Sequence, residues 1–199
     1  MRHELDLDQA GLAKVVKACV VPRPIAWVSS TSAEGVDNLA PHSFFTVVST
    51  DPVMVAFTSS GRKDTLNNVE ATGEFVVNVA AEPLFEQVNA TSAPHPPSTS
   101  EFDAVGLERE PSRTVAPPRV AASPAAMECV LEQVIAIGDS FLVVGRVQHV
   151  AVHDSVADDL GQGRIHPDIT ALAPLSRLGR DEWGLLGEIR RIRRPLLDS

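Results

Sequence analysis

The sequence predicts a mainly β fold, in which an antiparallel β-core, closed as a barrel, has helices attached to it. Two long apolar runs, 127–137 and 141–152, are joined by Gly138-Asp139-Ser140, which is typical of a hairpin turn. Both runs are apolar at most positions, as expected for strands that are covered on both sides. Shorter β-branched and aromatic runs bounded by turn residues predict four further strands, at 25–30, 42–49, 53–58 and 75–80.

Caps and prolines predict the helices between these strands. An acidic residue caps the first two helices, which a proline or a glycine ends, and a proline fixes the first turn of the third. The predicted spans are 9–18, capped by Asp8 and ended before Pro22-Arg23-Pro24; a helix with Asp64 as its N-cap and Gly73 as its stop; and 84–90, opened by Pro83.

The segment 94–124 holds seven of the fifteen prolines and predicts an extended excursion with one turn of helix near Phe102. Cys19 and Cys129 lie far apart, with no CxxC pair and no Cys/His cluster at zinc spacing. We therefore expect no metal site, and we expect both thiols to be small buried apolar residues in a reducing compartment.

Length and charge restrict the class of protein. The 199 residues suit a single domain, 1–199, and 17 Lys and Arg against 26 Asp and Glu give a formal charge of −9. This balance argues against a nucleic-acid partner or an anionic membrane surface. The charged first residues lack a signal peptide, and no run reaches the ~20 apolar residues of a membrane span. We expect a cytoplasmic protein.

The segment Ser59-Ser60-Gly61-Arg62-Lys63-Asp64-Thr65 is the first candidate binding site. Two hydroxyls, a glycine and two adjacent cations precede a helix N-terminus, whose free N–H groups and partial positive charge suit a phosphate. A solvated loop with a good helix cap explains the same residues equally well. No GxGxxG and no P-loop occurs, so a phosphate here indicates a mononucleotide or a phosphorylated cofactor.

The second candidate is the segment 38–45. Asn38 and Ser43 could hydrogen-bond the edge of a heteroaromatic ring, and Phe44 and Phe45 could pack beside that ring. The alternative interpretation is a turn that leads into a core strand whose aromatic residues fill the barrel.

Taken in order, the motifs resemble one family over most of residues 20–185, the flavin reductase-like, FMN-binding split-barrel family. This family includes the reductase components of two-component monooxygenases and flavoredoxin. The matching segments are Pro22-Arg23-Pro24-Ile25-Ala26-Trp27-Val28-Ser29, Asn38-Leu39-Ala40-Pro41-His42-Ser43-Phe44-Phe45, Asp51-Pro52, Arg62-Lys63-Asp64-Thr65-Leu66-Asn67-Asn68, Gly73-Glu74-Phe75-Val76-Val77-Asn78, Val144-Gly145-Arg146-Val147 and Pro174-Leu175-Ser176-Arg177-Leu178-Gly179.

The resemblance implies an FMN-binding split barrel that forms a homodimer, with the flavin near the subunit interface. On matching positions, the FMN phosphate would be held by Ser59, Ser60, Arg62, Lys63 and Thr65. The isoalloxazine ring would be lined by Asn38, Ala40, Pro41, Ser43 and Phe44, and Arg177 and Trp183 would lie in the closing segment near the cofactor. Three positions depart from the family pattern, namely His42, Arg180 and Trp183.

The activity implied by the resemblance is an NAD(P)H-dependent flavin reductase, which passes a hydride from NADH or NADPH to FMN and supplies reduced flavin to a partner monooxygenase. Two alternatives stay open. One is an FMN oxidoreductase acting directly on a small organic substrate, and the other is a non-enzymatic electron-transfer flavoprotein.

Overall fold

The structure is a computed structural model, which describes residues 2–6 and 11–195. Its strands, in chain order, are β1 (Arg23–Pro24), β2 (Ala26–Thr31), β3 (Asp37–His42), β4 (Phe45–Thr50), β5 (Val53–Ser60), β6 (Glu74–Val79), β7 (Arg109–Glu110), β8 (Arg119–Val120), β9 (Ala125–Ile137), β10 (Ser140–Val152), β11 (Ala157–Asp159), β12 (Ile165–Pro167), β13 (Ser176–Arg177) and β14 (Trp183–Gly184). The helices are α1 (Leu12–Cys19), α2 (Asp64–Thr72), α3 (Phe85–Ala90), α4 (Glu101–Val105) and α5 (Ile169–Leu172), with 3₁₀ turns at Glu82–Leu84 and Asp154–Val156.

A seven-stranded antiparallel sheet with the order β3-β2-β6-β9-β10-β5-β4 forms the centre of the fold. Its edge strands, β3 and β4, are consecutive in the chain and meet at a corner formed by Ser43 and Phe44. At this corner the N–H of Thr58 donates to the carbonyl of Phe44 at 2.9 Å, so β5 lies close to the end of β3. The sheet therefore curls into a barrel that is split between β3 and β5, which confirms the mainly β prediction.

The predicted hairpin is confirmed, because β9 and β10 pair along almost their whole length around Gly138 and Asp139. The prediction that both strands are covered on both sides is wrong for this single chain. The outward-facing side chains near the hairpin turn are exposed, and Ile135 and Ile137 are examples.

The predicted strand at 42–49 is wrong in its boundaries. Residues 37–41, for which no strand was predicted, form β3 together with His42, and the chain bends at Ser43 before β4 begins. This strand is not recognisable from the sequence, because it contains turn-forming residues and Pro41. Pro41 is tolerated because β3 is an edge strand, where a missing N–H leaves no neighbouring strand unpaired.

The predicted helices are present and differ from prediction mainly at their first residues, whereas α5 was not predicted. Gly11, with φ of 98°, caps α1, whereas Asp8 and residue 9 lie outside the described residues. Lys63 rather than Asp64 is the N-cap of α2, and Gly73 ends this helix with φ of 75°, as predicted. Pro83 lies in a 3₁₀ turn that precedes α3.

Two apolar clusters fix the barrel and its surroundings. Inside the barrel Phe57 meets Phe75 edge-on, with ring centroids 5.5 Å apart, and Gly145 leaves room for the Phe75 ring where a Cβ would collide with it. In the second cluster Trp27 is fully buried, and its Nε1 donates to Oγ1 of Thr91 at 2.9 Å. This bond holds the segment after α3 against the barrel.

A buried carboxylate is one of the groups that tie the proline-rich excursion to the sheet. Glu128 on β9 accepts hydrogen bonds from the N–H of Arg113 at 2.9 Å and from both the N–H and the hydroxyl of Thr114 at 2.6 Å. Burial alone would raise the pKa of Glu128, but these bonds hold it below its ordinary value.

The two cysteines differ from each other. Cys129 is buried, as predicted, but Cys19 at the end of α1 is exposed, so the prediction of burial is wrong there. In the part of the chain that the structure describes, no helix is long and apolar enough to cross a bilayer.

Candidate functional site

A large cavity opens at the corner where the barrel is split. It has a volume of about 1120 Å³. Its lining comes from α1, β1, β3, the end of β5, the start of α2, the segment 91–97 and the turn at 177–181. Segments far apart in the sequence are thus brought to one place by the curl of the sheet.

Most of the residues predicted for a flavin site line this cavity. From the ring segment these are Asn38, Ala40, Pro41, Ser43 and Phe44; from the phosphate loop, Ser60, Lys63 and Thr65; and from the closing segment, Arg177. Phe45, by contrast, faces away from the cavity and packs against the barrel core.

Three predicted residues are not brought to the cavity lining that the structure describes. Ser59 belongs to β5 rather than to a loop, and because side chains alternate along a strand it points away from Thr58 and Ser60, with its hydroxyl donating to the carbonyl of Gly61. Arg62 turns outward to Glu70 at 2.6 Å. Trp183 packs edge-on against Phe85 and beneath the Arg177 guanidinium.

The floor of the cavity is a buried polar network around Thr65. The Nδ2 of Asn38 donates to Oγ1 of Thr65 at 2.9 Å, and Nε2 of His42 lies 3.4 Å from the same oxygen. Asn68, one turn further along α2, donates to Ser30 on β2 at 3.2 Å. These bonds fix the first turn of α2 against β2 and β3.

His42, one of the departures from the family pattern, is part of this floor. Its ring lies 4.7 Å from the Phe57 ring, and its Nδ1 faces the carbonyl of Thr58. The pKa of His42 is lowered to about 4, mainly by burial; the Thr58 carbonyl acts in the opposite direction, and the charge of Lys63 adds a smaller lowering. The imidazole is therefore neutral at physiological pH and offers a hydrogen-bonding group without charge.

The cavity is cationic although the protein is acidic. All three lysines of the chain, Lys14, Lys17 and Lys63, line it together with three arginines, Arg23, Arg177 and Arg180. The carboxylates in the lining are Asp64, Glu101 and Asp181, and that of Glu101 is engaged by the N–H of Leu39 at 2.9 Å. Such a site attracts anions.

Sequence reasoning missed the contribution of α1 to the cavity. Lys14 and Lys17 are three residues apart and therefore share one face of this helix, which lines the cavity. The concentration of every lysine in two short segments was a visible signal, but only the folded chain shows that the two segments meet.

The start of α2 fits the phosphate group of a flavin mononucleotide. No side chain of the described residues caps this helix, so the N–H groups of its first turn are available to an anion. Ser60, Lys63 and Thr65 surround this terminus with two hydroxyls and an ammonium group. Asn38 is hydrogen-bonded to Thr65 at this terminus, and Phe44 lines the same cavity.

A family model described as a flavin reductase like domain matches residues 18–167. The chain belongs to the flavin reductase-like family. Membership confirms the family resemblance of the sequence motifs and makes this chain a flavin reductase-like oxidoreductase.

Solved structures of flavin reductase-like proteins match nearly the whole chain. Nitrilotriacetate monooxygenase component B from Bacillus cereus is 33% identical, with a TM-score of 0.88 over 96% of this chain and 98% of the other. The 2-nitrobenzoate 2-nitroreductase of Pseudomonas fluorescens is 28% identical, with a TM-score of 0.89 over 100% and 99% of the two chains. A protein with a split barrel domain from Shewanella frigidimarina NCIMB 400 shares the fold, with a TM-score of 0.83 at 20% identity over 92% and 91%.

Proposed function

We propose that this flavin reductase-like protein binds FMN in the cavity and passes a hydride from NADH or NADPH to flavin, supplying reduced flavin to a partner monooxygenase. The observation that most supports FMN is the uncapped start of α2, with Lys63 and the hydroxyls of Ser60 and Thr65 around it. A dianionic phosphate suits this combination of helix terminus and cation.

The chain's own residues bind and orient in this proposal. Lys63 and the first-turn N–H groups of α2 hold the phosphate, and Asn38, Ser43 and Phe44 hold the ring. His42 stays neutral and supports Thr65, because its pKa is far below the ordinary histidine value. FMN, when bound, supplies the hydride-accepting chemistry, and hydride transfer itself needs no protein acid or base.

Oxidation of NADH and NADPH with added free FMN or FAD tests this activity. We expect rapid turnover with at least one nicotinamide donor and saturation with FMN. Slow oxidation in spite of tightly bound flavin would overturn the reductase and favour an electron-transfer flavoprotein. A colourless protein that fails to quench FMN fluorescence at micromolar concentrations would overturn the flavin site itself.

A second candidate function is the direct reduction of a small organic substrate by the bound flavin. The similarity to a 2-nitrobenzoate 2-nitroreductase over the whole chain favours it. The discriminating measurement adds 2-nitrobenzoate to the NADH and NADPH assays. Consumption of the nitro compound at the rate of nicotinamide oxidation would support this candidate, whereas an unchanged nitro compound would exclude it for this substrate.

We also propose that the active form is a homodimer whose interface lies beside the cavity. In the register of the sheet, Thr58 faces Leu142, which faces Ile135, and Ser60 faces Ser140, which faces Ile137. Thr58 and Ser60 line the cavity, so the exposed Ile135 and Ile137 lie on the same face of the sheet. A second copy that covered these isoleucines would also close the cavity.

A further inference from the structure

Two arginines face each other at the edge of the cavity, where its lining comes from α1 and the turn at 177–181. Arg23 on β1 and Arg177 on β13 are directly opposite in the antiparallel register, and both line the cavity. Like charges placed directly opposite each other in a sheet are destabilising. A negative charge bound beside the pair would reduce this repulsion.

The described residues supply carbonyl oxygens to the pair but no full negative charge. Arg23 is only 8% exposed, and its guanidinium donates to the carbonyls of Lys17, Val20 and Leu178. Its Nε has no partner among the described residues. Neither Arg23 nor Arg177 forms an ion pair with any carboxylate in the described part of the chain.

Arg177 is held in place without being neutralised. Its guanidinium lies 4.6 Å from the Trp183 ring, and its Nη2 donates to the carbonyl of Arg180 at 3.0 Å. Burial lowers the pKa of Arg23, and the charge of Arg177 lowers it further, as expected for two cations in mutual reach.

More positive charge surrounds the pair. Lys14 and Lys17 on α1 and Arg180 line the same cavity, and Asp181 is one of the carboxylates of that lining. Arg180 has φ of 52°, a left-handed conformation that a glycine would adopt at lower cost. Backbone strain of this kind is retained more readily where the side chain has a function.

The cavity also has room for a ligand besides the flavin. Its volume of about 1120 Å³ exceeds the roughly 300–1,000 Å³ typical of one small-molecule site. The phosphate site proposed at α2 and the Arg23–Arg177 pair lie on different elements of the lining. The two cationic regions can therefore serve two ligands.

We propose that Arg23 and Arg177 form a second anion subsite, which binds the diphosphate group of the nicotinamide dinucleotide. The choice of the nicotinamide dinucleotide as the ligand rests on the proposed function. The anion subsite itself is inferred only from the strand register of the two arginines and from the charges around them. A diphosphate fits better than a single carboxylate, because the two arginines are joined by Lys14, Lys17 and Arg180 against one Asp181. The guanidinium groups of arginine and the ammonium groups of lysine are the usual partners of phosphate oxygens.

The test measures the binding of ADP-ribose, which contains the diphosphate but no nicotinamide, to the FMN-loaded protein by isothermal titration calorimetry. We expect Arg177→Gln to weaken binding about ten- to a hundredfold, as the loss of a charge-assisted hydrogen bond does. Lys17→Gln, on an exposed face of α1, should weaken binding several-fold without a risk to folding. Arg146→Gln removes the same charge from β10, outside the cavity lining, and should leave ADP-ribose binding unchanged.

Three outcomes would overturn the proposal. One is no binding of ADP-ribose by the folded protein. Another is equal weakening by Arg177→Gln and Arg146→Gln. The third is a preference for FAD over FMN that Arg177→Gln abolishes, because the subsite would then hold the flavin's own diphosphate.

A parallel FMN titration separates this proposal from the proposed function. If FMN fails to bind while ADP-ribose binding depends on Arg177, the flavin proposal fails and the anion subsite stands. If FMN binds and is reduced while ADP-ribose binding does not depend on Arg177, only the proposal of the anion subsite fails.

Discussion

Lys63 and Arg62 are adjacent cations with different surroundings. Lys63 lines the cavity at the start of α2, whereas Arg62 is paired with Glu70 and lies 5.0 Å over the Phe141 ring. Lys63→Gln should weaken FMN binding about tenfold to a hundredfold, because a hydrogen bond to a charged group contributes roughly 1.5–3 kcal/mol. Riboflavin, which has no phosphate, should bind almost unchanged. Quenching of flavin fluorescence measures both affinities.

Arg62→Gln is the matched control, and it should leave both flavins unaffected. Equal weakening of FMN by the two variants would mean that the phosphate lies elsewhere. From the sequence alone both cations were expected at the phosphate, because the sequence of a loop does not show in which direction each side chain points. The ion pair with Glu70, eight residues further on, decides the direction of Arg62 only in the folded chain.

His42 makes stability depend on pH. Its pKa falls from the ordinary 6.5 to about 4 on folding, so between these values the unfolded chain binds a proton that the folded protein does not. The free energy of unfolding should therefore rise with pH across this window, by up to about 3 kcal/mol. Urea unfolding at pH 7, 5.5 and 4.5 measures the slope. His42→Asn should flatten it, and parallel curves for the two proteins would refute this account.

At the scale of elements, Glu128 contributes to the attachment of the excursion 94–124. Glu128→Gln keeps the shape but removes the charge that three hydrogen bonds stabilise, so we expect a loss of about 1.5–3 kcal/mol in the free energy of unfolding. Because the pKa of Glu128 is held low, this difference should be present near neutral pH and shrink as pH falls through the folded-state pKa. Denaturant unfolding measures it.

Glu132→Gln provides the control on the same strand, because Glu132 is exposed and only 3.6 Å from the exposed Arg146. It should change stability by less than about 1 kcal/mol. Equal losses for the two variants would show that Glu128 has no special part in holding the excursion.

The elements that the sequence predicted well have strong local signals. The β9–β10 hairpin, β5, β6 and α2 combine apolar runs with turn residues at their ends. β3 could not be predicted, because an edge strand needs no apolar alternation on its outer side and tolerates Pro41. Asn38, Ala40 and Pro41 line the cavity, although the sequence did not predict that they belong to a strand. The docking of α1 beside the cavity is a long-range contact with no local signal.

At the scale of the whole molecule, the outer face of the β9–β10 hairpin is unusually apolar for a surface. Ile135 is 38% exposed and Ile137 is 54% exposed, in a sheet region whose sequence is typical of covered strands. Exposed apolar patches of this kind mark interaction surfaces. The same face continues to Thr58 and Ser60 in the cavity, which favours a second copy of the chain as the partner.

Ile137→Lys should therefore convert a homodimer into monomers, because the lysine places a charge where apolar surface would be buried between subunits. Sedimentation velocity measures the conversion, and we expect FMN affinity to fall with it, since the partner would close the cavity. Leu160→Lys is the control: Leu160 is 56% exposed, but it lies in the turn after β11, away from the main sheet. A wild-type monomer with full FMN affinity, or an Ile137→Lys variant that stays dimeric, would show that this face is not the interface.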